Sequence, residues 1–318
     1  MSGGAERADA TLAALAVYGE RLARAATLED VFDSALAGLE ELVGCRNSLL
    51  LVHQPELGRL VTVASRGYET GGAGSEVALG EGVIGMVGAR RQAMRIGNLQ
   101  RMLSYARTVR RSAAERDRPA DEIQLPGLLD ARSQLAAPMI ARSELVGVLA
   151  VESSTALAYD VIDERALTIA AQLVAAAVER EQLAASDAVA PTHHVTPPAA
   201  PIVAEGTAPA AVLRHYAVDG STFIDDCYVI KGVAGRLLWK LVSEYGATGR
   251  TSFTNREAKL DPTLELPDYR DNFESRLILL KRRLDEHDSP VRVRSSGRGR
   301  FDLVVRAPLA LELVARSP

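Results

Sequence analysis

Residues 186–210, SDAVAPTHHVTPPAAPIVAEGTAPA, divide this chain. The stretch is rich in Ala, Pro and Thr, carries little charge and has no hydrophobic period. It can neither pack as a core nor run on as a helix through its prolines. Patterned sequence lies on both sides, so the 318 residues must bury two cores rather than one. The expected organisation is an N-terminal helix over 1–25, a first domain over 26–185, a flexible linker over 186–210 and a second domain over 211–318. His193 and His194 inside the linker read as solvated side chains.

Charge divides in the same place. The chain has a formal net charge of −4, yet residues 211–318 hold 18 Lys and Arg against 15 Asp and Glu, and all four lysines (Lys231, Lys240, Lys259, Lys281). Such asymmetry points to nucleic-acid contact by the basic part. No stretch approaches the roughly 18 uncharged apolar residues of a membrane span. The opening MSGGAERADATLAALAVYGERLAR is charged throughout and lacks a signal-peptide core, so a cytoplasmic protein without a membrane partner is expected. Two cysteines, Cys45 and Cys227, are too few for a disulfide framework or a four-cysteine metal site. Both lie in apolar, strand-like contexts and read as inert buried thiols. The histidines show no metal-ligand spacing, and no metal site is expected.

Hydrophobic periodicity predicts a helix over 5–26 with Leu12, Leu15 and Leu22 on one stripe. A second helix starts at Thr27, with Asp30 at capping-box spacing. Strands follow at 48–54, 60–67 and 76–79. The turn Gly80-Glu81-Gly82 opens a short helix, VIGMVGARR. After a strand at 93–97 comes a polar segment, 98–132, then strands at 134–140 and 144–153 and a helix at 163–183. In the segments LGEGVIGMVGARRQAMRIGNL and SQLAAPMIARSELVGVLAVESS this order resembles a GAF domain. The resemblance implies an antiparallel sheet with helices on one face and a small-molecule pocket over the other, covered by 98–132. The lysine of the family's cyclic-nucleotide signature is absent, and neither Cys45 nor His53 suits a bilin, haem or iron site. Any cofactor therefore stays unassigned. Tyr105, Arg107 and Arg110, with Arg95 nearby, suit a small anionic ligand. The alternative is a solvated, arginine-rich surface helix. Apolar stripes on the first and last helices suit a homodimer interface.

From 212 the pattern resumes. Strands at 214–218 and 222–230 flank Asp219-Gly220, a helix spans 232–245, and Thr254 or Asn255 caps the short helix NREAKL. A long helix runs through DYRDNFESRLILLKRRLDE, and VRVRSSGRGRFDLVV reads as two strands around Gly297 and Gly299. This part resembles the winged-helix output domains of two-component response regulators, without their phosphoacceptor domain. The whole is then an α+β protein: a GAF-like antiparallel sheet with helices, followed by a winged helix-turn-helix domain. On the long helix, Phe273, Leu277, Leu280 and Leu284 form the buried stripe. At about 100° per residue, Asp271, Ser275, Ile278 and Arg282 then face outward, flanked by Asn272, Arg276, Leu279 and Arg283. The expected contacts to double-stranded DNA are Asn272, Ser275, Arg276, Arg282 and Arg283 on this helix, and Arg292, Arg294, Arg298 and Arg300 in the hairpin. Ile278 and Leu279 stand where a DNA reader usually has polar or basic residues. They suit either thymine methyls or a protein partner.

The resemblances imply a one-component transcription regulator, dimeric, whose sensor controls sequence-specific DNA binding. Two other readings stay open: a protein-interaction adaptor using Ile278 and Leu279, and a redox enzyme using Cys45. GEGVIG superficially matches a dinucleotide-binding pattern but follows a very short strand, outside any βαβ unit. With no other nucleophile or nucleotide motif, the chain is expected not to be an enzyme.

Overall fold

In a computed structural model, the chain is described over residues 2–99, 123–187, 210–266 and 273–315. It forms two compact units, Met1–Glu181 and Gln182–Pro318. Among the described residues, no helix is long and apolar enough to cross a membrane.

The first unit opens with α1 (Ser2–Arg24) and α2 (Leu28–Val43). Thr27 Oγ1 accepts from the Asp30 amide at 3.1 Å while the Asp30 carboxylate accepts from the Thr27 amide at 3.0 Å, so both partners of the predicted capping box are in place. Gly44 ends α2 at φ 66°, a left-handed conformation that glycine adopts without strain. Six strands follow: β1 (Asn47–Gln54), β2 (Arg59–Arg66), β3 (Glu76–Ala78), β4 (Met94–Ile96), β5 (Ser133–Ala141) and β6 (Glu144–Ser153). They pair in the order β3-β2-β1-β6-β5-β4, every pair antiparallel. Leu49, Leu51, Ala136, Val148 and Ala150 pack under Val83, Ile84 and Val87 of α3 (Gly82–Arg90). The alternate residues Leu50, Leu135, Leu149 and Val151 are buried as well. Burial on both faces explains why the central strands read as continuous apolar runs rather than alternations.

α4 (Val161–Asp187) closes this unit beside α1. Arg7 pairs with Asp160 and Asp163, and Arg180 donates to the carbonyls of Leu22 and Ala25 at 3.3 and 3.2 Å. Leu15, Tyr18 and Leu22 are the buried stripe of α1, whereas Leu12 is 63% exposed. That placement differs from expectation. Successive 100° steps put Leu12 nearly a quarter turn away from the line through the other three.

The second unit begins with β7 (Ala211–Tyr216), β8 (Thr222–Ile224) and β9 (Cys227–Ile230). The single strand expected over 222–230 is a hairpin, because Asp225 and Asp226 take φ 49° and 64° and reverse the chain. After α5 (Gly232–Thr248) come β10 (Ser252–Thr254), α6 (Asn255–Lys259), α7 (Phe273–Glu286), β11 (Val291–Gly297), β12 (Arg300–Val305) and β13 (Leu309–Val314). The sequence reading had no strand at β13. It pairs in parallel with β7, making a four-stranded sheet ordered β13-β7-β8-β9. Arg214 on β7 stitches this sheet, pairing with Asp226 at 2.8 Å and Glu312 at 2.9 Å. A second sheet, β10-β12-β11, joins the core through Phe301, whose ring lies 5.9 Å from Phe253 and 6.5 Å from Phe273.

Candidate functional site

The basic part of the second unit separates into arginines held by the fold and arginines open to solvent. On α7, Ser275 and Arg276 are 3% exposed, Leu277 7%, Ile278 6%, Leu279 5% and Leu280 0%. Six consecutive helical residues point in every direction, so this part of α7 is covered all round. The outward placement expected for Ser275, Arg276, Ile278 and Leu279 therefore does not hold. The helical-wheel reading assumed an open outer side, which burial removes. Asn272 lies outside the described residues.

Arg283 turns back on the fold: its Nε donates to the Val229 carbonyl at 2.8 Å and its guanidinium pairs with Glu286 at 3.2 Å. Arg292 is 8% exposed, pairs with Asp288 at 2.6 Å and Asp285 at 3.2 Å, and donates to the Leu284 carbonyl. A cation there complements the negative end of α7. Both arginines, expected at DNA, are thus engaged in holding α7 to the strands around it. Arg282 is half-buried.

Arg294, Arg298 and Arg300 are exposed on the β11–β12 hairpin. Arg294 pairs in register with Asp302, two positions from Arg300, so Arg294 and Arg300 share one face as diagonal neighbours. Thr254 pairs with Arg300, and the Asn255 amide donates to the Gly299 carbonyl at 2.9 Å. These contacts bring the hairpin turn to the start of α6, where Arg256 is also exposed. Among the described residues, the Arg256, Arg294 and Arg300 guanidiniums have no hydrogen-bond or ion-pair partner. The sequence reading missed Arg256 because TNREA was read for its cap alone.

In the first unit, a polar group sits within the apolar α3 side of the sheet. Glu152 continues the alternation of Val148 and Ala150 and is 7% exposed. Its Oε2 accepts from the Tyr68 hydroxyl at 3.2 Å and the Leu128 amide at 3.0 Å, and its Oε1 accepts from Gln134 Nε2 at 3.0 Å. Burial pushes the carboxyl above the usual carboxylate range, against the hydrogen bonds from Leu128 and Tyr68. Tyr159 is 3% exposed and its hydroxyl has no partner among the described residues. Burial raises the pKa of Tyr68 and Tyr159, and the charge of Glu152 raises both further. The sequence signal was present: an acid two steps beyond Val148 and Ala150 on a buried strand.

Arg95, expected at an anionic ligand, pairs with Glu164 at 3.0 Å and donates to the Tyr159 carbonyl at 3.2 Å. Tyr105, Arg107 and Arg110 lie outside the described residues. Cys45 is 4% exposed, and burial pushes its thiol up to about 12, so it stays protonated near neutral pH. Cys227 is exposed rather than buried, because it follows the Asp225-Asp226 turn at a strand end. Among the described residues, no group of three or more His, Cys, Asp or Glu could hold a metal ion.

A family profile described as a GAF domain matches residues 25–179. Residues 25–179 form a GAF domain. Similar solved structures include the GAF domain of an Acinetobacter phosphoenolpyruvate-protein phosphotransferase, with TM-score 0.43 and 18% identity, covering 54% of this chain and 94% of that one. A free methionine-R-sulfoxide reductase from Neisseria meningitidis has TM-score 0.43 and 18% identity, over 56% of this chain and 93% of its own. A putative GAF sensor protein from Burkholderia vietnamiensis has TM-score 0.41 and 15% identity, over 55% and 91%. No curated protein matches the chain. Within the GAF domain, the turn before α3 depends on its glycines: Gly80 has φ 89°, and a Cβ on Gly85 would lie 2.2 Å from the Ala78 carbonyl oxygen.

Proposed function

We propose that this chain is a one-component transcription regulator, without enzymatic activity, in which the GAF domain senses a small molecule and residues 211–318 act as a winged helix that binds duplex DNA. The observation that carries this reading is the exposed, partner-free set Arg256, Arg294 and Arg300, brought to one rim by strand pairing and the Asn255–Gly299 hydrogen bond. Guanidiniums without acidic partners are suited to phosphate oxygens. The element order supports the reading: a sheet, three helices and a basic hairpin. A homodimer would present two such modules to two half-sites. Ligand binding would shift the population of arrangements competent for DNA, with the linker setting effective concentration rather than acting as a lever.

Fluorescence anisotropy on duplex DNA across a salt series tests this. Three phosphate contacts predict a log–log slope of about −3 per DNA-binding unit. Arg256→Ala, Arg294→Ala and Arg300→Ala should each reduce that slope by about 1. Absence of duplex binding at low salt would refute the regulator.

A second reading is a protein-interaction adaptor, but the burial of Ile278 and Leu279 withdraws them from a partner as well as from a groove, so it would have to use another surface. Binding that is insensitive to salt, or confined to a protein partner, would select it.

A further inference from the structure

We infer that β13 is a homodimer surface: its open edge pairs antiparallel with β13 of a second copy of this chain, in a register centred on Leu311. The inference rests on the homodimer of the reading above and gives it a surface in the second unit.

Backbone direction marks the edge. β13 lies outermost in the sheet β13-β7-β8-β9. The carbonyls of Pro308, just before the strand, and of Val314, its last residue, accept from the Ala211 and Ala217 amides at 2.9 and 3.0 Å. In a parallel ladder, alternate residues of a strand face the same neighbour. Ala310 and Glu312 therefore face β7 together with Pro308 and Val314, and the N–H and C=O groups of Leu309, Leu311 and Leu313 point the other way. Among the described residues these outward groups have no hydrogen-bond partner. The strand is also open to solvent: Leu313 is 62% exposed, and Ala310 and Glu312 are exposed too.

The two sides of this sheet differ. Arg283 of α7 donates to the Val229 and Tyr228 carbonyls of β9 at 2.8 and 3.4 Å, which closes that side. β13 lacks the usual safeguards of a free edge: LALELV holds neither Pro nor Lys, and its charge, Glu312, is matched by Arg214 at 2.9 Å. The side chains agree with the backbone. Leu309, Leu311 and Leu313 stand beside Ala211, Leu213 and His215, all buried, so the leucines continue the core face of the sheet. A Cβ on Gly246 would lie 3.6 Å from Leu311 Cδ1, so this row starts beneath α5 and emerges from it at Leu313. An apolar row beside unpaired backbone suits a further strand with the same alternation.

A second β13 meets both requirements. A two-fold axis at Leu311 sets Leu311 against Leu311 of the second copy, and Leu309 against its Leu313. All of these positions point their backbone groups outward, so every open N–H and C=O is used and the two leucine rows join. Glu312 then lies opposite Ala310 of the second copy. An axis at Glu312 would oppose the two carboxylates, and an axis at Ala310 would run Leu313 past the end of the facing strand.

Disulfide trapping in the full chain reads this register. Cys227→Ser removes the exposed native thiol, and Cys45 is buried. In that background Leu311→Cys should give a covalent dimer under mild oxidation, and so should the double variant Leu309→Cys/Leu313→Cys. Either cysteine of the double variant alone should not, because its own counterpart lies about 14 Å along the facing strand, beyond disulfide reach. A dimer held only through another surface does not reproduce that pattern. The 311 variant and the double variant are independent, so either decides if the other fails to fold. Adding Leu313→Lys, a charge at an exposed edge position, to Leu311→Cys should abolish the cross-link while thermal melting shows the fold retained. No cross-link, equal cross-linking of every variant, or a cross-link that survives Leu313→Lys would each overturn the inference. Register-specific cross-linking without duplex binding would uphold this surface and sink the regulator. Duplex binding by a chain that does not cross-link would do the reverse.

Discussion

Arg292 and Arg300 stand eight positions apart on one hairpin, yet their surroundings differ completely. Arg292 is inside, spanning Asp285, Asp288 and the Leu284 carbonyl, whereas Arg300 extends into solvent. Arg292→Ala should lower unfolding stability by about 1–3 kcal/mol, with the salt slope of DNA binding retained in the folded fraction. Arg300→Ala should change stability by no more than about 0.5 kcal/mol and flatten the slope. Urea unfolding and anisotropy on the same two variants separate these roles. His215 gives a prediction about pH. Its ring stacks on Trp239 at 5.2 Å, and Nδ1 lies 2.8 Å from Thr222 Oγ1. Burial, reinforced by Arg236, lowers its pKa to about 4. The folded state thus takes up a proton less readily than the unfolded chain, near 6.5. The resulting stability is present above about pH 6.5 and is lost as pH falls toward 4. Trp239 is the sole tryptophan, so its fluorescence should report a falling urea midpoint for the second unit across that window. His215→Phe should remove this part of the slope.

Among the elements, those set by short-range chemistry were the legible ones. α2 begins where the Thr27–Asp30 pair lies and ends at Gly44, because a cap needs only neighbours within one turn. Thr27→Ala should cost about 1 kcal/mol, read as a lower urea midpoint of the GAF domain. The β8–β9 hairpin was not legible, since two aspartates in left-handed conformation are a weaker turn signal than Asn-Gly or Asp-Gly. β13 was missed although LALELV alternates. Its partner, β7, begins almost a hundred residues earlier, and a parallel pairing of that separation leaves no local turn signature. For α7, the stripe of Phe273, Leu277, Leu280 and Leu284 was legible from its spacing, and all four are buried. The cover over its other side was not, because periodicity marks which face prefers burial and says nothing of what else packs there.

At the scale of the whole chain, the roles proposed for the two units can be separated by truncation. A protein ending at residue 187 should still unfold cooperatively, because its sheet and helices share one core. It should also lose salt-dependent duplex binding, because Arg256, Arg294 and Arg300 all lie beyond that point. Circular dichroism melting and anisotropy on the truncated chain check both. The primary structure was sufficient for the two-part organisation, the GAF resemblance, the apolar runs of the central strands and the caps, since each follows from composition or from neighbours a few residues apart. Folding in three dimensions settled which arginines stand without an acidic partner among the described residues and that Glu152 stands buried beside Tyr68. Burial and pairing of charge depend on residues distant in sequence, such as Arg283 with Val229 or Glu152 with Tyr68, and such meetings leave no mark on the local pattern.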